Sequence, residues 1–185
     1  VSVPAHRTLV LGGARSGKSA HAEGLLPPDG AATYAATARR DPDDPEWNRR
    51  IAEHVARRPD DWRTVETPEP GSLVELLDNA LGTDPPVLVD DLATWLTGAL
   101  DDAGAWEGAD SALGTVARQR GELVRACGSC RARLVLVSAE VGLGVVPDNR
   151  AARLFRDELG TLNASLAEVC DEVLLLVAGL PLRLR

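Results

Sequence analysis

TLVLGGARSGKSAHAEGLL (residues 8–26) passes from an apolar run, through a glycine-rich turn, into a helical pattern. The turn holds Gly12-x-x-x-x-Gly17-Lys18-Ser19, between the strand and the helix that a nucleotide phosphate loop requires. Glycines at Gly12, Gly13 and Gly17 let the backbone wrap closely, so that the N–H groups of Ala14, Arg15 and Ser16 can face phosphate oxygens. The helix that follows adds its positive N-terminal end. Lys18 is then expected to reach the β and γ phosphates, and the Ser19 hydroxyl to ligate Mg²⁺. Lys18 is also the only lysine in the chain; every other member of the Lys and Arg total of 20 is arginine.

Working outward, short β-rich runs alternate with helical patterns. The runs at 7–13, 31–37, 86–91, 133–140 and 171–179 read as buried strands, and 17–26, 45–58, 72–81, 109–127 and 150–169 as helices. The strands are apolar almost throughout, as in a parallel sheet covered on both faces. This alternation predicts an α/β fold: a doubly wound, mostly parallel sheet flanked by helices, of the P-loop NTPase type. No repeat or linker interrupts it, so residues 1–185 read as a single domain, with 39–46 and 100–110 as surface excursions.

The bulk composition narrows the function. A net charge of −8 argues against general nucleic-acid binding, so any anion site must be a local cluster of arginines. The odd number of cysteines, 3, and a start unlike a signal peptide point to the cytoplasm. No apolar run reaches the roughly 20 residues of a membrane span. The absence of Met, an initiator included, points to a trimmed N-terminus. With one Tyr and one Phe, the core must be built from Val, Leu and Ala. Cys127-x-x-Cys130 lacks the second pair that a zinc site needs. His6 and His21 read as surface or packing residues. In EVGLGVVPDNR (140–150) Asp148 is placed to cap the next helix, with a ligand contact as the alternative role of the loop, and Asn163 has no assigned role.

A phosphate loop normally works with an acid at the end of a neighbouring strand. PPVLVDDLATWL (85–96) offers Asp90 and Asp91. Asp90 is favoured for Mg²⁺, directly or through water. Both could instead cap the helix that begins near Leu92, and the two roles can be divided between them.

RRIAEHVARRPDDW (49–62) places His54 among Arg49, Arg50, Arg57 and Arg58. Asp44-Pro45-Glu46 is a helix start and Pro59 a stop. On that helix Trp47, Ile51 and Val55 form an apolar stripe, with His54 at its edge, one turn from Arg50 and Arg58. The imidazole is either a solvated surface group whose arginines pair with Glu46 and Glu53, or a neutral nucleophile beside a bound phosphate.

LGGARSGKSAHAE, YAATA, RRIAEHVARRPDDWRTVE, VLVDDLATWLTG and the stretch from LVSAEVGLGVVPDNR to the last residue occur in that order. Together they resemble the bifunctional adenosylcobinamide kinase / adenosylcobinamide-phosphate guanylyltransferase family of cobalamin biosynthesis, over nearly the whole chain. The resemblance implies a kinase that phosphorylates the aminopropanol hydroxyl of adenosylcobinamide with ATP or GTP. It also implies a transferase that moves GMP from GTP onto the resulting adenosylcobinamide phosphate, through a guanylylated histidine, giving adenosylcobinamide-GDP and pyrophosphate. His54 is the histidine that matches, and Lys18 the matching catalytic lysine. Nucleotide contacts are implied at Gly12, Gly13, Ala14, Arg15, Ser16, Gly17, Lys18 and Ser19, at Thr37, Ala38 and Arg39, at Val55, Ala56, Arg57 and Arg58, and at Glu66 and Asp90. Glu66 is expected to meet guanine or ribose, and Ser19 and Asp90 to hold Mg²⁺. The resemblance further implies a homo-oligomer, a trimer. Asp91 stands where family members often carry a small residue or cysteine, and 100–110 matches poorly. For the loop at 140–150 the alternative to capping is then a corrinoid or nucleotide contact.

Two rival readings remain at this level. One is a P-loop kinase for another small alcohol or a nucleotide, with no transferase step. The other is a non-catalytic GTP switch, against which stands the lack of an Asn-Lys-x-Asp guanine-reading motif.

Overall fold

In the computed structural model, residues 6–28, 30–56 and 58–185 are described, with the backbone alone for Arg50. Arg57 and the Arg50 side chain, both expected near His54, therefore lie outside the described residues. In chain order the elements are β1 (Arg7–Gly12), α1 (Lys18–Gly24), β2 (Ala32–Ala36), α2 (Pro45–Ala56), β3 (Trp62–Glu66), α3 (Pro70–Asn79) and β4 (Val87–Asp90). Then come α4 (Leu92–Ala103), a 3₁₀ turn (Ala105–Glu107), α5 (Asp110–Ser129), β5 (Leu134–Ala139), α6 (Arg150–Val169), β6 (Glu172–Val177) and β7 (Leu180–Arg183).

The strands form one seven-stranded sheet in the order β3-β2-β4-β5-β1-β6-β7. All neighbours pair in parallel except β6 and β7, which form an antiparallel hairpin. Alternation along each strand divides the core between the two faces. Leu9, Leu11, Val87, Val89, Leu134 and Leu136 pack with Leu77, Leu96, Leu123 and Leu162 of α3, α4, α5 and α6. The intervening Val10, Leu88, Val135 and Val137 face a smaller cluster with Tyr34, Ala22 of α1 and Leu26. One face thus carries a thick helical layer and the other a thin one, which confirms the doubly wound sheet.

Three elements differ from the sequence expectation. β3 forms a sheet edge, and its mostly exposed WRTVE gives no apolar run. α4 begins at Leu92 as expected but runs on into what read as a surface excursion from 100, and β7 carries Pro181 on the other edge, where a missing N–H is tolerated. Helix α2 begins as expected, with Asp44 Oδ1 accepting from the Trp47 N–H at 2.9 Å. Its apolar stripe, however, is not a buried face. Val55 is 44% exposed, Trp47 and Ile51 are half-buried, and α2 has no fully buried side chain among the described residues. The cap of α6 is Asn149, whose side chain accepts from the Ala152 N–H, and not Asp148, one residue earlier. His6 lies against the Cys130 carbonyl at 3.1 Å. Asn163 is buried against Ser138 and the Ala139 carbonyl, a helix-to-strand fastening.

Candidate active site

The loop from Gly12 to Ser19 joins the carboxyl end of β1 to α1 and closes on itself. The Ser16 N–H reaches the Gly13 carbonyl at 3.3 Å, and the His21 N–H reaches Gly17 at 2.9 Å. Gly17 has φ 87°, a conformation that side chains with a Cβ rarely adopt. At Gly12 the limit is space: a Cβ there would stand 2.3 Å from Ser16 Oγ. The loop is braced from the far end of the chain by the Gly179 N–H in the β6–β7 turn, which donates to the Ser16 carbonyl at 3.0 Å. Lys18 Nζ lies 3.4 Å from the Gly13 carbonyl, folded over the loop mouth.

Asp90 ends β4, and β5 lies between β4 and β1. The acid is therefore two strands away rather than on the adjacent strand, yet Ser19 Oγ donates to Asp90 Oδ1 at 3.2 Å. Two oxygen ligands of one octahedral Mg²⁺ at about 2.1 Å stand about 3 Å apart, and hard oxygen donors suit this ion. Among the described residues no group of three or more His, Cys, Asp or Glu could hold a metal unaided. Ser19 and Asp90 thus fit an ion shared with a bound phosphate. Asp91 has the other role: its Oδ1 accepts from the Thr94 N–H at 2.8 Å and caps α4. Asp90 is deeply buried, with only 7% of its side chain exposed. Burial pushes its carboxyl above the ordinary range, against hydrogen bonds from Tyr34 and Ser19 that favour the anion.

His54 projects from the last turn of α2, with Nδ1 3.8 Å from Asp90 Oδ2. One neighbour of the imidazole is thus a carboxylate, while two of the four arginines expected around it, Arg57 and Arg50, have side chains outside the described residues. Arg58 lies instead with its guanidinium carbon 3.5 Å from the centre of the Tyr34 ring, and Nη1 donates to Thr64 Oγ1 at 2.8 Å. The Tyr34 hydroxyl donates to Asp90 Oδ2 at 2.6 Å. Burial, and then the negative charge of Asp90, raise the tyrosine pKa. Sequence reasoning gave Tyr34 no role.

Other expected contacts gather at the same edge of the sheet. Ala36 pairs with both Glu66 and Asp90 in register, so Thr37, Ala38 and Glu66 leave the carboxyl ends of β2 and β3 beside β4. Thr37 Oγ1 donates to the Asp91 carbonyl at 2.8 Å. Val55 and Ala56 are exposed next to His54. Arg39 has partners of its own: both terminal nitrogens donate to Asp102, at 2.7 and 2.6 Å, and Nε donates to the Pro68 carbonyl. These bonds hold the Asp102 carboxyl below its ordinary range and tie the β2–α2 loop to α4. A cleft of about 530 Å³ opens there, lined by Arg40, Asp44, Trp47, Thr94, Thr97 and Phe155, among others. Trp47 and His54 are seven residues apart on α2, hence on one face and about 10 Å apart along the axis.

Comparison with known proteins agrees with this geometry. The family described as "Cobinamide kinase / cobinamide phosphate guanyltransferase" matches residues 8–184. The chain is 44% identical to the bifunctional adenosylcobalamin biosynthesis protein CobP of Pseudomonas aeruginosa, over 97% of each chain. It is 38% identical to CobU of Escherichia coli, a protein of the same description, over 96% of this chain and 98% of that one. In fold it resembles a solved ATPase from the type III secretion system of pathogenic bacteria, with a TM-score of 0.55 at 13% identity, over 92% of this chain and 51% of the other. A phosphate loop facing a buried carboxylate and a histidine, in a chain so similar along its length to these relatives, leads to one assignment. The chain belongs to the cobinamide kinase / cobinamide phosphate guanyltransferase family, enzymes of cobalamin biosynthesis with a kinase and a nucleotidyltransferase activity.

Proposed function

We propose that one nucleotide site serves both activities, with His54 as the protein nucleophile of the second. The observation that carries this reading is the approach of His54 to Asp90 beside the phosphate loop, 3.8 Å from Nδ1 to Oδ2. In the kinase step the aminopropanol hydroxyl oxygen of adenosylcobinamide attacks the γ phosphorus of ATP or GTP. The bond to the bridging oxygen breaks, the nucleoside diphosphate leaves, and the hydroxyl proton is released. The loop N–H groups and Lys18 stabilise the charge on the transferring phosphoryl group. Ser19 and Asp90 would hold Mg²⁺, which when bound would add charge neutralisation.

In the transferase step the imidazole attacks the α phosphorus of GTP, a P–N bond forms, and pyrophosphate leaves. An oxygen of adenosylcobinamide phosphate then attacks the same phosphorus and the P–N bond breaks, giving adenosylcobinamide-GDP and free histidine. With Nδ1 facing the Asp90 carboxylate as its N–H, the lone pair resides on Nε2, which is the attacking atom. Thr37, Ala38, Val55, Ala56, Arg57, Arg58 and Glu66 complete the nucleotide surround in this reading. Arg39 joins them if it exchanges Asp102 for phosphate.

The corrinoid sits in the cleft between α2 and α4. Its position on the Trp47–His54 face supports this, as do the aromatic side chains of Trp47 and Phe155 in its lining. The same reading makes the protein a homo-oligomer, a trimer, and places it in the cytoplasm, whose reducing chemistry suits three buried, unpaired cysteines. No described helix is long and apolar enough to cross a membrane. The test is incubation with GTP labelled at the α phosphate. Label should stay on the protein through an acid-labile, alkali-stable bond, and His54→Ala should remove it while adenosylcobinamide phosphorylation persists. Label retained by the alanine variant would place the nucleophile elsewhere.

A further inference from the structure

Tyr34 is the only tyrosine of the chain and is 2% exposed, in the middle of β2. A residue buried only for packing could as well be Phe, because a buried hydroxyl costs free energy unless it is bonded. This hydroxyl is bonded to a residue of the reaction centre, at 2.6 Å from Asp90 Oδ2. The contact divides the carboxylate: Oδ1 faces Ser19 at 3.2 Å, while Oδ2 faces the tyrosine and His54. Without the hydroxyl, nothing described at Oδ2 except the histidine would fix the rotation of the carboxylate about its Cβ–Cγ bond.

The face of the ring has a separate contact. Arg58 stacks on it at 3.5 Å and lies four residues after His54, where the Arg58 N–H still reaches the Val55 carbonyl at 3.2 Å. Helix α2 has no fully buried side chain among its described residues, so its hold on the body is weak. An arginine clamped between an aromatic face and Thr64 is a substantial part of that hold.

We propose that Tyr34 is a positioning residue with two separable duties. Its hydroxyl sets Asp90 between the metal side and the histidine side, and its ring seats Arg58 and with it the end of α2 that carries His54. The inference rests on the roles given above to Asp90 and His54.

Two variants separate the duties. Tyr34→Phe removes the hydroxyl and keeps the ring, whereas Tyr34→Leu removes both. Three quantities are read: the affinity for a non-hydrolysable GTP analogue with and without Mg²⁺, the rate of α-phosphate labelling of the protein, and the rate of adenosylcobinamide phosphorylation. In Tyr34→Phe the tightening of the analogue by Mg²⁺ should shrink by about tenfold, the range expected for losing a hydrogen bond to a charged group. Metal-free affinity should be unchanged, and the two rates should fall together. In Tyr34→Leu the ratio of labelling to phosphorylation, unchanged in Tyr34→Phe, should fall by about tenfold. Wild-type Mg²⁺ tightening in the Phe variant overturns the first duty. An equal rate ratio in the two variants overturns the second.

If Tyr34→Leu fails to fold, Arg58→Ala tests the second duty with the core intact. Because Arg58 also belongs to the nucleotide surround, analogue affinity should weaken, and at saturating GTP the ratio of labelling to phosphorylation should still drop. A wild-type rate ratio at saturating GTP would make Arg58 a nucleotide contact only and overturn the seating role. A wild-type protein that takes up no label would refute the His54 assignment itself, a result distinct from all of these.

Discussion

Asp90 and Asp91 are adjacent in sequence, and replacing each by Asn should give opposite kinds of result. At Asp90, Asn keeps the size of the side chain and removes the charge that faces Ser19, Tyr34 and His54. A hydrogen bond to a charged group contributes about 1.5–3 kcal/mol, so the loss predicts a fall in Mg²⁺-dependent turnover of about 10- to 150-fold. Stability should move the other way. Burial raises the folded-state pKa of Asp90, so the buried anion costs stability increasingly as pH rises above the unfolded carboxyl value. A neutral Asn does not bear that cost, and in metal-free buffer at pH 7 its melting temperature should equal or exceed that of the wild type.

Asp91 caps α4 through Thr94. Asn caps about as well, so Asp91→Asn should stay within about 0.5 kcal/mol, whereas Asp91→Ala should cost about 1 kcal/mol. For a chain of this size that cost lowers the melting point by about 2–4 °C. Matched Mg²⁺ titrations of both activities, with thermal melts, make the comparison. Equal activity losses for the two Asn variants, or a lower melting point for Asp90→Asn, would refute the division of roles.

Lys18→Ala should reduce both activities at least about 100-fold, because both draw on one triphosphate site; kinase turnover within a few-fold of wild type would mean separate sites. Trp47→Ala should raise KM for adenosylcobinamide by about tenfold, as for an aromatic anchor, and leave α-phosphate labelling unchanged. A change in labelling alone would move the corrinoid away from the cleft. Burial raises the pKa of Cys127 and Cys130 and pushes that of Cys170 up to about 12. A thiol reagent at pH 8 should therefore find no reactive cysteine until the protein is denatured. Because the Cys170 pKa is raised on folding, stability should also decline as pH climbs from about 9 towards 12.

What the sequence reveals follows the burial of each element. β1, β4 and β5 are covered on both faces, so their apolar runs stand out, and the loop at 12–19 is local in sequence and legible as a motif. β3 and β7 are sheet edges with mostly exposed side chains, and neither has a clear period of two in apolarity. The stripe on α2 is genuine, but periodicity does not say whether a partner covers it, and Val55 is open. Asp90 and His54 were readable as residue types beside a phosphate loop. The link through Tyr34 was not, because it depends on β2 lying next to β4, a fact of strand order. The Arg39–Asp102 pair was hidden for a similar reason, since it spans two elements that no local pattern connects.

The position of β1 also bears on how the chain folds. The strand that carries the phosphate loop pairs only with β5 and β6, both from the last third of the chain. The first apolar strand made must therefore wait, unpaired, until the late strands exist, and contacts so far apart in sequence slow folding. β2, β3 and β4 are near neighbours and can associate earlier. In refolding, nucleotide affinity should accordingly be among the last properties to return, after most helical signal, because the loop becomes a phosphate cradle only once the β6–β7 turn has closed on Ser16.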